Sequence, residues 1–557
     1  MSTKSVLVNF NGYPSTIDSL IPDNGLANLA GSLLHNGHET LVLDFCSVDI
    51  IRRLIPRIIS KELNNVYDKV LMDIQSSGQL KSETIIKLKA FDKILEDHKQ
   101  SELRVISNEI IANARSIEAD FIGFKLWTGD GFAGSVRIAE HIKKAMPKIR
   151  LFAGGPHVDW FMQSIFDYTS VFDTLCYGEG EETIVLLAEY VEGKRELADI
   201  PNILYRQSGS VKVNRQKLIS DLDSLPDPVY DKSIYPAMED EKKIKLLMVD
   251  ESRGCPNSCY FCIHPRKSGH RWRKRDPIMT VNLIEKLGQQ VDTNAFRLAG
   301  SNTPSDLRRK IAQELIDRRL GINYAAFGHV CEINHDDYKL LHDSGCVSLS
   351  FGVESGSQKI LDQDINKKAK VSQIVSALKE CKRSGIYTVA SIIVPCPHDT
   401  PETIRETTNM LIETHPDSVT MQLPGVIPGT CWYENADRFG FNIDGDYMLK
   451  SMLYRIKLLM PPVLWDSFPY KINGMTHFES VSIAQNMAIE LEKNGIITGI
   501  GDFLMLIGKT LGISPKDLSH SNRRLFFAGE YDKIQYMVRS FNDQVKLINT
   551  YDGVAGE

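Results

Sequence analysis

The chain has 557 residues, of which 42% are hydrophobic and 24% charged, and this composition excludes a disordered chain or a small disulfide scaffold while allowing about three domains. The net charge is −6, with 65 basic residues scattered among 71 acidic ones, which argues against nucleic acid as a partner because no basic field would hold a polyanion. No run of about 18 apolar residues is present to cross a membrane, and ten cysteines, three of them between positions 255 and 262, suit a reducing compartment, so we expect a cytoplasmic protein with no membrane partner.

An alternation of strands and helices opens the chain. The apolar runs Ser5–Asn9 and Thr40–Phe45 enclose a helical pattern, and polar or glycine-rich turns follow the later runs Phe121–Leu126, Ile149–Ala153 and Thr174–Tyr177. This order predicts a doubly wound, Rossmann-like sheet over residues 1–200, with helices inserted at about 50–115. Ligands of such sheets bind at the carboxyl ends of the strands.

A proline-containing connector at 201–244 leads into a second alternating region at 245–437. Its candidate strands are Lys245–Asp250, Phe296–Leu298, Tyr324–Phe327, Val347–Phe351, Tyr387–Val394 and Ser418–Gln422. The alternation predicts a partial (β/α)6 barrel of the TIM type, whose active site faces the carboxyl ends of the strands. Residues 438–557 have mostly helical patterns and predict a helical C-terminal domain, so the fold class is α/β throughout the first two regions.

Three cysteines follow the first strand of the second region. Cys255, Cys259 and Cys262 lie on one loop, where three thiolates can hold three corners of an iron–sulfur cubane and leave one iron open to a small molecule. The alternative is a structural zinc site with His264 as the fourth ligand.

The cysteine loop resembles the signature of the radical S-adenosylmethionine (SAM) superfamily, which has an aromatic residue before the last cysteine. The segment Phe351-Gly-Val-Glu-Ser-Gly-Ser is similar to the ribose-binding segment of that family. The resemblance implies a [4Fe–4S] cluster whose open iron binds SAM and cleaves it reductively to a 5'-deoxyadenosyl radical. It also implies SAM contacts at Phe261, Ala299, Gly300, Ser301, Glu354, Ser355 and Ser391, of which Glu354 and Ser355 would bind the ribose hydroxyls.

The first region resembles the cobalamin-binding branch of the same superfamily. The resemblance rests on Gly154-Gly-Pro-His157 and on the turn Tyr177-Gly-Glu-Gly-Glu-Glu-Thr183, placed ahead of the cysteine loop. The turn Asn9-Phe-Asn-Gly-Tyr13 carries no histidine, which implies cobalamin without a histidine below the cobalt. The implied cobalamin contacts are Asn11, Lys125, Trp127, Thr128, Gly154, Gly155, His157, Gly178, Glu179, Gly180 and Glu181. Glu179 and Glu181 have the alternative role of stabilising the N-terminus of the following helix, and His157 is expected near the nucleotide tail or the domain surface rather than on the cobalt.

Together the two resemblances imply a cobalamin-dependent radical SAM methyltransferase that acts on an unactivated carbon, or a phosphorus, of a specialised metabolite. Its partners would be a small-molecule substrate and an electron donor such as flavodoxin or ferredoxin. Radical cyclisation or rearrangement without methyl transfer is the alternative reaction, and a non-catalytic cofactor-binding sensor is the alternative from another class. In the C-terminal region we expect Trp465, Tyr470 and His477 near the substrate, although aromatic residues at such spacings are more often core.

Overall fold

The structure is a computed structural model that describes residues 2–77, 79–331, 335–454 and 465–547. A seven-stranded sheet in the order β2-β1-β3-β4-β5-β6-β7 forms its N-terminal part, with parallel pairing from β2 to β5 and antiparallel pairing from β5 to β7. The strands are β1 (Lys4–Asn9), β2 (Glu39–Asp44), β3 (Phe121–Lys125), β4 (Arg150–Gly154), β5 (Thr174–Cys176), β6 (Ile203–Gln207) and β7 (Ser210–Val213). The predicted doubly wound sheet is confirmed, and the connector extends it by the hairpin β6–β7.

Helices cover both faces of this sheet because its strands are apolar on both sides. They are α1 (Asn24–His35), α2 (Val48–Leu54), α3 (Arg57–Ser77), α4 (Ser82–Ser116), α5 (Asp130–Ala145), α6 (Pro156–Phe161), α7 (Ser164–Tyr168) and α8 (Glu181–Val191). Helices α1 and α8 pack against each other, as do α4 and α5. The long helices α3 and α4 correspond to the predicted insertion, and α3 packs on α4 through an apolar cluster of its own.

A second sheet contains seven parallel strands in the order β18-β15-β14-β13-β12-β11-β8. Strands β8 to β15 are β8 (Leu247–Val249), β9 (Ser252–Arg253), β10 (Arg273–Lys274), β11 (Ala295–Leu298), β12 (Asn323–Gly328), β13 (Cys346–Glu354), β14 (Tyr387–Ile393) and β15 (Ser418–Gln422), of which β9 and β10 pair separately as an antiparallel ribbon. The helices between them are α9 (His264–Ser268), α10 (Pro277–Val291), α11 (Ser305–Arg318), α12 (His335–Asp343), α13 (Gln358–Ile360), α14 (Val371–Arg383) and α15 (Pro401–Thr414). All six predicted strands are present.

The C-terminal region is mainly helical, as predicted, but it also contributes strands. Its elements are α16 (Cys431–Glu434), β16 (Phe441–Ile443), α17 (Tyr447–Leu453), β17 (Tyr470–Ile472), α18 (His477–Lys493), β18 (Ile497–Thr498), α19 (Asp502–Leu511), α20 (Pro515–Phe527) and α21 (Tyr531–Gln544). Strand β18 pairs with β15 and becomes the seventh strand of the second sheet. Helix α19 packs on β12, β13 and β14. No helix among the described residues combines the length and apolar character needed to cross a membrane.

Candidate cofactor site between the two sheets

A cavity of about 340 Å³ lies where the carboxyl ends of the first sheet meet the cysteine loop of the second. Its wall combines residues from β1, β3, β4, α1 and α8 with residues that flank β9 and β11. The apolar part is formed by Leu7, Leu26, Leu29, Phe124, Phe152 and Ile184. The polar part lies toward the second sheet and includes Asp250, Arg253, His264 and Lys267. The two halves of the chain therefore share one cavity.

The cysteine loop is fixed by backbone contacts on both sides. The Cys255 amide donates to the Gly269 carbonyl (3.1 Å), and the Tyr260 amide donates to the Ile365 carbonyl (2.9 Å). Gly254 has φ of +85°, and a Cβ there would lie 2.1 Å from the Arg271 carbonyl oxygen, so only glycine fits. The loop has one defined course over the end of the sheet.

The three cysteine side chains are partly buried, and burial raises the pKa of two of their thiols. Burial raises the pKa of Cys262 to about 12, and it raises the pKa of Cys259 despite the opposing charge of Lys367. These thiols must lose protons when they bind a metal cluster, because the thiolate is the ligand. Among the residues that the structure describes, no group of three or more His, Cys, Asp or Glu side chains is arranged to hold a single metal ion. In a cubane cluster each thiolate instead binds a different iron.

Glu354 ends β13 in the left-handed region, with φ of +63°. Its carboxylate is buried and accepts a hydrogen bond from the Lys367 ammonium (3.0 Å). The neighbouring Asn366 side chain donates to the Ser258 carbonyl (2.8 Å), which places this ion pair beside the cysteine loop. The predicted ribose ligand thus has a buried cation that fixes it, a partner that sequence reasoning missed.

Only two of the other predicted SAM residues line the cavity. Ala299 and Ser301 line the cavity, whereas the Ser355 hydroxyl accepts from the Ser357 amide (3.1 Å) and so stabilises its own turn. The remaining three are Gly300, whose amide donates to Glu251 (3.0 Å), Ser391 within β14, and Phe261, whose ring lies 5.7 Å from that of Trp432.

Glu251 is a second residue that sequence reasoning missed. Its side chain is completely buried, where it accepts hydrogen bonds from the Gly300 amide and the Thr303 hydroxyl. Burial raises the pKa of this carboxyl, while the two hydrogen bonds oppose the shift. Glu251 therefore fixes the loop after β11, which carries Ala299 and Ser301, to the strand that leads into the cysteines.

Paired glycines form part of the cavity wall on the side of the first sheet. A Cβ at Gly154 would lie 3.3 Å from the Cys176 carbonyl oxygen, and one at Gly155, where φ is +104°, would lie 3.1 Å from the Leu126 carbonyl oxygen. Together with the apolar wall they leave a groove that fits an elongated ligand close to the backbone. Gly178, Gly180 and Lys125 also line the cavity.

Polar contacts fix Lys125 and Trp127, two of the residues predicted to contact cobalamin. The Lys125 ammonium pairs with Asp23 (2.6 Å) and lies 4.4 Å from the centre of the Trp127 ring. The Trp127 ring N–H donates to the Asn9 side chain (2.9 Å), whose amide in turn donates to the buried Asp44 (2.9 Å). Within the described part of the chain, the cavity wall does not include Asn11, Trp127 or Thr128, so their assignment to cobalamin stays a prediction.

His157 lies away from the cavity, and its predicted place near the nucleotide tail needs correction. The side chain is completely buried, with its ring 4.3 Å from that of Phe132 and 4.7 Å from that of Phe161. Burial lowers its pKa to about 3, so the ring is neutral. Phe132 and Phe161 belong to the apolar layer formed with α4 and α5, which makes His157 a core residue.

Glu179 and Glu181 line the cavity and also bind arginines of the second region, so their assignment to cobalamin stays a prediction. Arg253 donates to Glu181 (2.5 Å), and Arg273 donates to both oxygens of Glu179 (2.6 and 2.8 Å). Burial alone would raise the pKa of Glu181, but the charge of Arg253 holds it below its usual value. The hydrogen-bonding capacity of these carboxylates is used to join the turn before α8 to the ribbon β9–β10.

The three residues predicted near the substrate pack against other apolar or aromatic side chains. Tyr470 is buried in an apolar cluster with Trp432 and donates to the Pro424 carbonyl. The His477 ring lies 4.3 Å from that of Phe468. Trp465 packs against the apolar cluster of helices α3 and α4. None of the three lines the cavity described above, and their assignment to the substrate stays a prediction.

Two family models match successive segments of the chain. The B12 binding domain model matches residues 83–188, and the Radical SAM superfamily model matches residues 252–411. An uncharacterized methyltransferase of Pyrococcus horikoshii is 26% identical over 354 residues, which cover 63% of this chain and 74% of the relative. The anaerobic magnesium-protoporphyrin IX monomethyl ester cyclase of Rubrivivax gelatinosus is 30% identical over 295 residues, 50% of this chain and about half (52%) of the cyclase.

A solved structure shows the same fold over nearly the whole chain. It is that of the radical S-adenosylmethionine methyltransferase TsrM of Kitasatospora setae with cobalamin and a [4Fe-4S] cluster bound. The TM-score is 0.65 at 14% identity, and the alignment covers 97% of this chain and 99% of TsrM. The match to the Radical SAM superfamily supports a cluster at the three cysteines over the zinc alternative.

Proposed function

Since this chain belongs to the radical SAM superfamily and carries a B12-binding domain ahead of its radical SAM domain, we propose that it methylates an unactivated carbon, or a phosphorus, of a specialised metabolite. Its cofactors are a [4Fe–4S] cluster, SAM and cobalamin. The observation that carries the proposal is the cavity that extends from the paired glycines of the first sheet to Gly254 and His264, which lie on either side of the three cysteines in the sequence. The domain limits near residues 200, 244 and 437 are part of this proposal.

Separate groups of residues would hold the cluster and cobalamin. Cys255, Cys259 and Cys262 would hold the cluster, and the groove beside Gly154 and Gly155 would hold the nucleotide tail of cobalamin. When bound, the cluster and SAM would supply a radical that removes a hydrogen atom. Cobalamin would supply the methyl group that is transferred. The protein positions both against the substrate and keeps water out of the cavity, which is how proteins contribute to cofactor chemistry.

The Glu354–Lys367 pair would act on SAM through the carboxylate. A carboxylate can accept two hydrogen bonds from the two hydroxyls of a ribose. Lys367 holds one oxygen of Glu354 at 3.0 Å, so the side chain keeps one rotamer and presents its other oxygen. We therefore assign Glu354 to ribose binding and Lys367 to its positioning.

Methyl transfer can be tested before the substrate is known. The reconstituted protein is incubated anaerobically with SAM that carries a trideuterated methyl group and with a chemical reductant, and the bound cobalamin is then extracted for mass spectrometry. We expect trideuteromethyl cobalamin together with S-adenosylhomocysteine. Cobalamin that stays unmethylated while 5'-deoxyadenosine forms would contradict methyl transfer.

Radical cyclisation is the second candidate, and its support is the similarity to the cyclase of Rubrivivax gelatinosus. It predicts 5'-deoxyadenosine without methyl transfer to cobalamin. A sensor without catalytic activity predicts neither product. The same incubation therefore separates the three functions.

A further inference from the structure

A strongly basic segment follows the cysteine loop. The twelve residues 264–275 contain six Lys or Arg, two His and no Asp or Glu, in a chain whose net charge is −6. The segment comprises α9, the ribbon strand β10 and the turn between them. A local positive field in an acidic protein indicates a specific use for these cations.

Part of the segment is used within the protein. Four of its cations form ion pairs that fix it to neighbouring elements: Lys267 with Asp159 (2.9 Å), Arg273 with Glu179 (2.6 Å), Lys274 with Asp306 (3.1 Å) and Arg275 with Asp223 (3.8 Å). Arg273 and Arg275 are largely buried, while the pair of Lys274 is exposed. The backbone of the segment is therefore held in place.

Arg266, His270 and Arg271 are different. Their side chains are exposed, and they form no ion pair or side-chain hydrogen bond with any residue in the described ranges. They also lie outside the wall of the cofactor cavity, whose contributors from this segment are His264, Lys267 and Ser268. These three exposed residues are here called the basic surface; its charge comes from Arg271 and from Arg266, whose guanidinium also packs against Gly429.

The basic surface is joined directly to the cysteine loop. The Gly269 carbonyl accepts from the Cys255 amide (3.1 Å). The Arg271 carbonyl packs so closely on Gly254 that a Cβ there would lie 2.1 Å from its oxygen. A protein bound at this surface would therefore sit a few residues from the cluster, which is where an electron has to enter.

We propose that the basic surface binds an acidic, low-potential one-electron carrier protein that reduces the cluster. In this step the carrier loses one electron and the oxidised cluster gains it, with no bond formed or broken. Charge complementarity selects an acidic partner, because opposite charges speed association and like charges prevent it. The proposal rests on the proposed function only in requiring the cluster.

The test measures cluster reduction in the reconstituted holoenzyme by anaerobic stopped-flow absorbance, with a fully reduced bacterial flavodoxin as the probe. The variant Arg266→Glu/Arg271→Glu should lower the second-order rate constant about tenfold or more at low ionic strength. The difference should shrink at about 0.5 M salt, because salt screens exposed charges. The charge-conserving variant Arg266→Lys/Arg271→Lys should keep the rate within about threefold. A bacterial ferredoxin serves as a second probe.

Two controls separate docking from general effects. Lys212→Glu/Lys516→Glu makes the same change in net charge at exposed positions on β7 and α20, and it should leave the rate unchanged. Reduction by photogenerated 5-deazaflavin, a small uncharged reductant, should be the same in all variants. If the glutamate variant loads less cluster, Arg266→Gln/Arg271→Gln replaces it, with a loss of about threefold or more expected.

Three results would overturn the proposal. They are an unchanged rate with both carrier proteins, an equal loss in the Lys212→Glu/Lys516→Glu control, and an equal loss in the charge-conserving lysine variant. A variant that is reduced normally but needs more substrate for turnover would assign the surface to an anionic substrate, which also contradicts carrier docking. Methyl transfer to cobalamin driven by a chemical reductant should stay intact in every variant, so failure of the proposed function would be seen separately.

Discussion

Replacing Arg253 by methionine should destabilise the contact between the two sheets. The guanidinium of Arg253 binds Glu181 (2.5 Å) and Asp250 (3.0 Å), and the side chains of Arg253 and Glu181 are only 14% and 9% exposed. The variant leaves the Glu181 carboxylate buried without its countercharge, which costs about 3–5 kcal/mol in free energy of unfolding. For a folding unit of about 150–250 residues this corresponds to a melting temperature lower by about 10 °C.

A double-mutant cycle isolates the interaction. Glu181→Gln removes the charge from the other side, and the double variant Arg253→Met/Glu181→Gln has neither charge. The double variant should lose less stability than the sum of the single variants, with an interaction energy of about 2 kcal/mol. This result follows because much of the loss in Arg253→Met is the cost of an unpaired buried carboxylate.

The loss in Arg253→Met should depend on pH in a defined direction. In the wild-type protein Arg253 holds the pKa of Glu181 below its usual value of 4.5, so the stabilisation is fully present above about pH 4.5 and is lost as the pH falls through the lowered pKa. In the variant, burial without the arginine raises that pKa. The folded variant can then take up a proton, and its deficit against the wild type should be smaller near pH 5 than near pH 7.5.

Anaerobic scanning calorimetry of the reconstituted proteins measures these differences. Arg137→Met is the matched control, because Arg137 pairs with Glu140 on the surface, where the two side chains are 60% and 38% exposed. Exposed pairs contribute about 0–1 kcal/mol, so this variant should melt within about 2 °C of the wild type. An Arg253→Met protein that melts with the wild type, or an additive cycle, would refute the reasoning.

Three further predictions concern a buried ion pair, the paired glycines and the predicted SAM ligand Glu354. Lys243→Met should lose about 3 kcal/mol of stability by thermal unfolding, because it leaves Asp44 buried without the cation 2.5 Å away, and Asp44→Asn in the same chain should recover part of it; no recovery would contradict this ion pair. Gly154→Val should weaken cobalamin binding at least about tenfold by titration while iron content stays normal, since Gly154 lines the cavity and an added Cβ would already lie 3.3 Å from the Cys176 carbonyl oxygen, so the larger side chain takes up ligand space; unchanged affinity would place cobalamin elsewhere. Glu354→Gln should weaken SAM binding about tenfold in equilibrium dialysis, because a carboxylate accepts the ribose hydroxyls more strongly than an amide, and Lys367→Met should weaken it similarly by releasing Glu354; normal affinity in both would exclude this role.

The parallel strands and the cysteine loop could be predicted because their signals are local. Buried parallel strands are short apolar runs, and one such run leads directly into Cys255. The six predicted strands of the second sheet are all present. The seventh strand, β18, has only two residues and pairs with β15, which is distant in sequence. A segment this short shows no hydrophobic periodicity that could predict it.

The partners of the site residues could not be predicted, because they are distant in sequence. Glu181 meets Arg253, which is 72 positions away, and a sequence alone does not show which cation reaches a given carboxylate. His157 illustrates the same limit. A polar histidine after paired glycines is expected to be accessible, but in the structure its ring lies between two aromatic rings. Local patterns therefore locate the site, and tertiary packing decides what each side chain does there.

The central claim is that Cys255, Cys259 and Cys262 hold a [4Fe–4S] cluster with one iron open to SAM. Electron paramagnetic resonance of the reduced, reconstituted protein tests it directly, with spectra recorded before and after addition of SAM. We predict a cluster signal whose g-values shift when SAM binds the open iron. A signal that is identical with and without SAM, in protein shown to contain four irons per chain, would contradict the account.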